Sequence, residues 1–190
     1  IKPLSGLIYL DDKNITEMPM YKRAKYGVGY LAQDASVFTK LTVEDNIRLI
    51  LQMTSLSKEE QNEKLEGLLS EFSIEHIRKN KAYALSGGER RRTEIARSLV
   101  MDPSFILLDE PFAGIDPIAV EDIQKIIEKL KNKDIGVLIT DHNVRETLTI
   151  TDRSYLLYNG EILKSGTTKE LTADEEAKKL YLGTKFKLDY

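Results

Sequence analysis

Cysteine is absent from the 190 residues. That excludes disulfide scaffolds, iron–sulfur clusters and thiolate zinc sites, and it fits a reducing compartment. No apolar run approaches the roughly 18 residues of a membrane span, so any membrane role is expected to be peripheral. Charge of one sign is also missing in excess: 28 basic residues face 31 acidic ones, for a net charge of −3. A strongly basic nucleic-acid binder is thereby disfavoured. The opening, Ile1-Lys2-Pro3-Leu4-Ser5-Gly6, has no initiator Met and no signal-peptide pattern. There is no internal repeat and no low-complexity segment. What is present is an ordinary globular balance, 41% hydrophobic and 31% charged. It suffices for one domain with a sizeable core or two small ones.

Leu7–Leu10 reads as a short strand and Asp11–Asn14 as the turn after it. Gly27–Ala32 is a second apolar run, ending at Gln33. The period then changes. Thr42 with Asp45, and Ser57 with Glu60, have the spacing of capping boxes. Leu65, Leu68, Leu69 and Phe72 recur at i, i+3, i+4 and i+7, one helical face. Residues 42–80 are therefore predicted to be a helical insert.

From Ser86 onward, helices and strands alternate. A helix over about 88–100 places Ile95, Ala96, Leu99 and Val100 on its apolar side, and Asp102-Pro103 stops it. Phe105–Leu108 and Gly136–Thr140 are continuous apolar runs, as expected of parallel strands buried on both faces. Asp116-Pro117 caps and starts another helix, with Val120, Ile123, Ile127 and Leu130 facing inward. Arg145–Thr151 reads as a short helix. Tyr155–Leu163 reads as a hairpin about Asn159-Gly160. The segment 168–182 is amphipathic and charged.

Two stretches carry chemistry. Phe105–Leu108 runs into Asp109-Glu110-Pro111, which places two carboxylates at the C-terminal end of a strand. Ligands bind there in open α/β sheets. Adjacent acids suit Mg²⁺ binding through water and proton removal from an attacking water. The bland reading is a strand ending in two solvated acids. In Leu85-Ser86-Gly87-Gly88-Glu89, two glycines open a helix behind a serine. Free backbone N–H groups and the positive end of the helix dipole suit an anion, although a plain Ser cap with a flexible start gives the same pattern. Arg90, Arg91 and Arg92 read as a solvated helix face together with Glu89 and Glu94, not as a nucleic-acid patch. His76 reads as structural.

Together these segments resemble the ATP-binding-cassette (ABC) ATPases. Ser86-Gly87-Gly88-Glu89 looks like the family's signature motif. Phe105–Asp109 resembles its Walker B strand, with Glu110 in the place of the catalytic glutamate. Ala113-Gly114-Ile115-Asp116 is similar to the D-loop, His142 stands at the switch histidine and Gln33 at the Q-loop. A narrower match, in Phe112–Val120, Thr140–Leu148 and Tyr181–Phe186, resembles the ATPases of bacterial lipopolysaccharide exporters. It is closer to them than to their relatives, the branched-chain amino-acid importer ATPases.

The resemblance implies an α/β fold: a P-loop-type ABC ATPase core with a mainly parallel sheet plus an α-helical subdomain. Residues 1–41 and 81–167 would be core, 42–80 the helical subdomain and 168–190 a C-terminal tail. It implies ATP and Mg²⁺ as ligands. ATP would be bound by Gln33, Ser86, Gly87, Gly88, Asp109, Asp116 and His142, and the metal by Gln33 and Asp109, with Glu110 and His142 catalytic. The implied partners are a second copy, head to tail, and transmembrane permease subunits, with no nucleic acid. The implied location is peripheral, on the cytoplasmic face of the inner membrane. The ABC ATPases of DNA repair are disfavoured, because the stretch from Gln33 to Ser86 has no persistent heptads. One departure is large. The 190 residues contain no Gly-x-x-x-x-Gly-Lys-[Ser/Thr] and no Gly-Lys pair. The expectation is an N-terminally truncated, single incomplete domain, inactive by itself for lack of a phosphate cradle. The alternatives are a branched-chain amino-acid importer ATPase and a non-catalytic fragment or interaction module.

Overall fold

The computed structural model describes residues 3–182. Ile1, Lys2 and the stretch 183–190, with the Gly183–Phe186 part of the narrower match, lie outside the described residues. The chain opens with a hairpin of β1 (Tyr9–Leu10) and β2 (Lys13–Asn14). The expected turn at 11–14 is narrower than its sequence suggests. Asp11 takes φ 49°, so Asp11-Asp12 closes the hairpin and Lys13-Asn14 forms its second strand. Helix α1 (Met20–Lys25) follows Pro19 and buries none of its residues.

Strands β3 (Val28–Leu31), β4 (Phe105–Asp109) and β5 (Gly136–Thr140) form a parallel sheet in that order. The register pairs Tyr30 with Leu107 and Leu107 with Leu138. Between β3 and β4 come α2 (Val43–Leu51), α3 (Lys58–Glu71) and α4 (Gly87–Ser98), and α5 (Pro117–Asn132) joins β4 to β5. Helices α2, α3 and α4 start on capping boxes, and Asp116 caps α5 by accepting from the Ala119 N–H at 3.0 Å. Each such cap satisfies an orphan amide and contributes about 1 kcal/mol. After α4 a single 3₁₀ turn ends at Asp102, which is left-handed (φ 47°), just before Pro103.

The expectation of strands buried on both faces is corrected here. Ile106 and Leu108 are inaccessible and share the core with Ile95 of α4 and with Ile123 and Ile127 of α5. The opposite face of the sheet carries Tyr30 and Leu138, each 48% exposed, and half-buried Leu107 between them. The helices that supply the core stand on one side only, so β4 alternates in burial despite its continuous apolar sequence.

Helices α2 and α3 contribute Ile47, Leu51, Leu65 and Leu69 to that same core, and Phe72, just past the end of α3, joins them. Glu44, on the first turn of α2, receives Arg78 Nε at 2.8 Å, Lys79 Nζ at 2.9 Å and Arg48 Nη2 at 3.3 Å. Arg78 also forks onto Glu66 of α3. These ion pairs tie α2, α3 and the segment leading to Ser86 together. Buried Asn46 accepts from the Phe38 N–H at 2.8 Å and donates to the Phe38 and Thr42 carbonyls, which fixes the loop that follows Gln33.

After α6 (Val144–Leu148), strands β6 (Ser154–Tyr158) and β7 (Glu161–Gly166) form a second antiparallel hairpin. Its turn is Asn159-Gly160, with φ 51° and 83°, the left-handed pair read from the sequence. Strand β6 does not pair with β5. Between them lies an apolar cleft of about 530 Å³ lined by Val137, Ile139, Leu148, Tyr155, Leu157 and Ile162, among others. Helices α7 (Thr168–Ala173) and α8 (Glu175–Ala177) close a small second core around Leu148, Leu156, Leu171 and Ala177.

Candidate functional site

The C-terminal ends of β3, β4 and β5 lie side by side because the strands are parallel and in register, with Asp109 opposite Thr140. Each end releases residues singled out by sequence: Gln33 after β3, Asp109 and Glu110 at the end of β4, His142 after β5. The Gln33 amide nitrogen donates to Glu110 Oε2 at 2.8 Å. His142 Nδ1 lies 3.5 Å from the same oxygen. One carboxylate oxygen therefore faces both side chains. Glu110 takes φ 44° and its N–H donates to the Thr140 carbonyl at 2.7 Å, so the chain bends sharply where the carboxylate emerges. Its side chain is 28% exposed and that of His142 is 68% exposed, so both can meet a ligand from solvent.

Asp109 points to a different set of neighbours. Thr140 Oγ1 donates to its Oδ1 at 2.6 Å and the Tyr30 hydroxyl reaches its Oδ2 at 3.4 Å. Burial, with the Asp109 charge beside it, pushes the Tyr30 phenol up. No cluster of three or more His, Cys, Asp or Glu able to hold a metal occurs among the described residues. The donors are one carboxylate, Asp109, and the Gln33 amide oxygen. That set is too small for a dedicated cage and suits Mg²⁺, which keeps waters and arrives on phosphate oxygens.

Ser86, Gly87 and Gly88 form the start of α4. Ser86 Oγ accepts from the Glu89 N–H at 3.3 Å, and the Glu89 carboxylate accepts from the Ser86 N–H at 2.8 Å. The Ser86 amide and hydroxyl draw the Glu89 carboxyl below its ordinary value. A Cβ on Gly88 would lie 2.7 Å from the Ala119 Cβ, so a bare α-carbon is needed for α4 to meet α5. A Cβ on Gly87 would meet the Gly114 carbonyl at 3.3 Å, which places the start of α4 against the Ala113–Asp116 loop. Asp116 is exposed and its carboxylate is engaged as the α5 cap. Ser86–Gly88 and Asp116 thus gather at a second locus, distinct from the Gln33–Glu110–His142 cluster.

The expectation that Arg90–Arg92 form a solvated face with Glu94 is corrected. Arg91 and Glu94 are buried. Arg91 donates to the carbonyls of Ala32 at 2.9 Å, Asp109 at 2.8 Å and Glu110 at 3.1 Å, and pairs with Glu94 at 3.4 Å. Burial pulls its guanidinium below the ordinary value, against the attraction of Glu94. Arg92 lies closer to the surface, 3.3 Å from Asp122 of α5. The phase of α4 against the strand ends decides which arginine turns inward, and three arginines in a row carry no such phase. Asp141 was missed for a similar reason. Its side chain is fully buried and accepts from the Phe112 N–H at 3.1 Å and the Asn143 N–H at 2.7 Å. His76 is exposed on a 3₁₀ turn.

The sequence profile described as "ABC transporter" matches residues 1–113. An uncharacterized ABC transporter ATP-binding protein of Rhizobium meliloti is 54% identical over 96% of this chain and 68% of its own length. The lipopolysaccharide export system ATP-binding protein LptB of Haemophilus influenzae is 52% identical over 96% of this chain and 76% of its own length. Among solved structures, the ADP conformation of MJ1267, an ATP-binding cassette of an ABC transporter, superposes with a TM-score of 0.82 at 28% identity. It covers 96% of this chain and 79% of MJ1267. The dimeric MJ0796 cassette bound to ADP and Pi superposes with a TM-score of 0.77 at 25% identity, over 88% and 75% of the two chains.

Proposed function

The chain belongs to the ABC transporter ATP-binding family, and from that premise we propose that it powers lipopolysaccharide export by hydrolysing ATP beside membrane partner subunits. Members of the family bind nucleotide and couple its hydrolysis to transport. The lipopolysaccharide assignment rests on the identity to LptB, about half of all aligned positions. The observation that carries the catalytic reading is the single Glu110 oxygen shared by Gln33 and His142 at the strand ends.

In this reading Glu110 accepts the proton of the attacking water, and Gln33 orients that water. His142 donates to the γ-phosphate. Asp109 and Gln33 would hold Mg²⁺, which supplies charge neutralisation on the phosphate oxygens when bound. Thr140 and Tyr30 keep Asp109 oriented from behind. Ser86, Gly87 and Gly88 act on the nucleotide of a second, head-to-tail copy, where free N–H groups and the helix dipole favour an anion. Asp116, at the loop touching Gly87, links the two sites. That the MJ0796 cassette is a dimer supports the presence of a second copy.

A groove of about 410 Å³ between α1, β3 and α4, lined by Tyr21, Leu31, Phe38, Ile50 and Arg97 among others, supports docking of a permease helix near the Gln33 loop. No helix among the described residues is long and apolar enough to cross a membrane. A peripheral position on the cytoplasmic face of the inner membrane is supported by the relatives, which are ATP-binding proteins of transport and export systems. Residues 1–41, 81–167 and 42–80 are then parts of one ABC ATPase domain. The 190 residues contain no Gly-x-x-x-x-Gly-Lys-[Ser/Thr] loop, and they span 68% of the length of the Rhizobium meliloti relative and 76% of that of the Haemophilus influenzae one.

The test is Glu110→Gln in the full-length gene product. The amide keeps the shape but cannot take the proton. Nucleotide binding should persist while turnover falls roughly a hundred-fold or more, read by phosphate release. Turnover within a few-fold of wild type would remove Glu110 from the role.

A further inference from the structure

We propose that Arg91 is a positioning residue that couples the N-terminus of α4 to Glu110, so that one guanidinium mechanically joins the two loci of the site. The inference rests on the ATPase reading above and extends it to how the loci communicate. Beyond the last ladder bonds of β3 and β4, the carbonyls of Ala32, Asp109 and Glu110 converge on a buried point. Arg91 serves all three, at 2.9, 2.8 and 3.1 Å. Its side chain is 7% exposed. Guanidinium suits the task because it is planar and carries five donors in a fixed fork, whereas an ammonium is a compact point donor.

What the carbonyls belong to matters more than their number. Ala32 immediately precedes Gln33, and Glu110 is the left-handed residue that turns its own carboxylate toward Gln33 and His142. One turn further along α4, Glu94 accepts from the Ser36 N–H at 2.6 Å and the Val37 N–H at 3.3 Å. Arg91 and Glu94 therefore grip both flanks of Gln33 and the backbone of both strand-end acids. They also pair with each other inside the protein, at 3.4 Å.

Ser86–Gly88 open the same 12-residue helix, less than two turns before Arg91. A helix this short moves as a rigid rod. Any shift imposed on its N-terminus by a phosphate of a second copy is carried to Arg91, and through it to Gln33 and Glu110. That is a contiguous physical link between the surface that meets the other copy and the hydrolytic group of this one. Arg92, one residue on, bonds to α5 and lacks these contacts.

The experiment compares Arg91→Lys, Arg91→Met and Glu110→Gln with wild type in the full-length protein. It reads kcat, KM for ATP, the Hill coefficient of hydrolysis and the melting temperature. Arg91→Lys keeps the charge opposite Glu94 but cannot span three carbonyls. It should fold, keep KM within about two-fold and lose roughly ten-fold or more in kcat, with the Hill coefficient falling toward one. Arg91→Met should lose more of kcat, again without a matching rise in KM. If Arg91→Met fails to fold, the lysine variant decides the matter. Wild-type kcat and Hill coefficient in Arg91→Lys overturn the proposal. So does a loss in which KM rises in step with a falling melting temperature, the pattern of a merely structural residue. Should Glu110→Gln hydrolyse ATP normally, the ATPase reading fails and the proposal goes with it. Loss of turnover in Glu110→Gln beside an unaffected Arg91→Lys rejects the coupling alone.

Discussion

Asp141 illustrates how much one buried carboxylate can organise without binding a cation. It accepts the N–H of Phe112, two residues after Glu110, and the N–H of Asn143, one residue after His142. The loops that present the two side chains are thereby stapled to each other. In Asp141→Asn, one oxygen becomes an NH₂ group that must face an N–H, so one bond is lost and a donor is left buried. Calorimetry should show destabilisation of about 1–3 kcal/mol, and hydrolysis should fall with it. An unchanged melting temperature would mean that the staple is dispensable. At this scale Asp109 and Glu110 stood out in the sequence because they end an apolar run that reads as a strand. Gln33 and His142 were singled out by the resemblance to the ABC ATPases. The structure brings Gln33, Glu110 and His142 together. Asp141 and Arg91 did not stand out. Polar residues beside the active groups look solvated in a sequence, and their burial follows only from how helices and strand ends meet.

Among the elements, the ion-pair cluster on α2 sets a pH limit. Burial pushes the Glu44 carboxyl up, but hydrogen bonds from Arg78, Lys79 and Arg48 outweigh it and bring the group from 4.5 to about 2. A carboxyl depressed on folding contributes stability that is present above its unfolded value and lost as pH falls through its folded one. Stability from Glu44 should therefore drain away between about pH 4.5 and pH 2. The amount is on the order of 1–3 kcal/mol after allowance for solvent screening. Melting curves of Glu44→Gln against wild type across that range should converge as the pH drops; parallel curves would contradict the argument. Helices α2 to α5 were readable because capping boxes, Asp-Pro and 3.6-residue periodicity agree with the packing. Helix α1 escaped because it buries nothing and so leaves no periodic trace.

In the whole molecule, β1 and β3 to β7 were visible in the sequence, and β2 was read as part of a turn. Beyond the β6–β7 hairpin, which strands neighbour one another was not visible. Apolar runs say that strands exist, while pairing depends on contacts far apart in the chain. Among the described residues, β5 ends its sheet and β6 pairs with β7 and not with β5, a separation that no feature of their apolar sequences announces. The apolar cleft of about 530 Å³ between β5 and β6 should bind a hydrophobic dye when the 190-residue polypeptide is prepared by itself. The same material should show no micromolar affinity for MgATP by calorimetry, because these residues hold no phosphate-cradling loop. Tight nucleotide binding, or a dye-silent polypeptide, would count against this account. The single core shared by residues 42–80 and the sheet bears on evolution and engineering. Leu65, Leu69 and Phe72 belong to the same cluster as Ile95, Ile106 and Ile123. The helical stretch is therefore not a portable cartridge. Exchanging it between relatives would break interdigitated side chains unless the inner faces of α4 and β4 travelled with it. The outward faces of α1, α2 and α3 are free to diverge, because substitutions there leave the interior fit untouched.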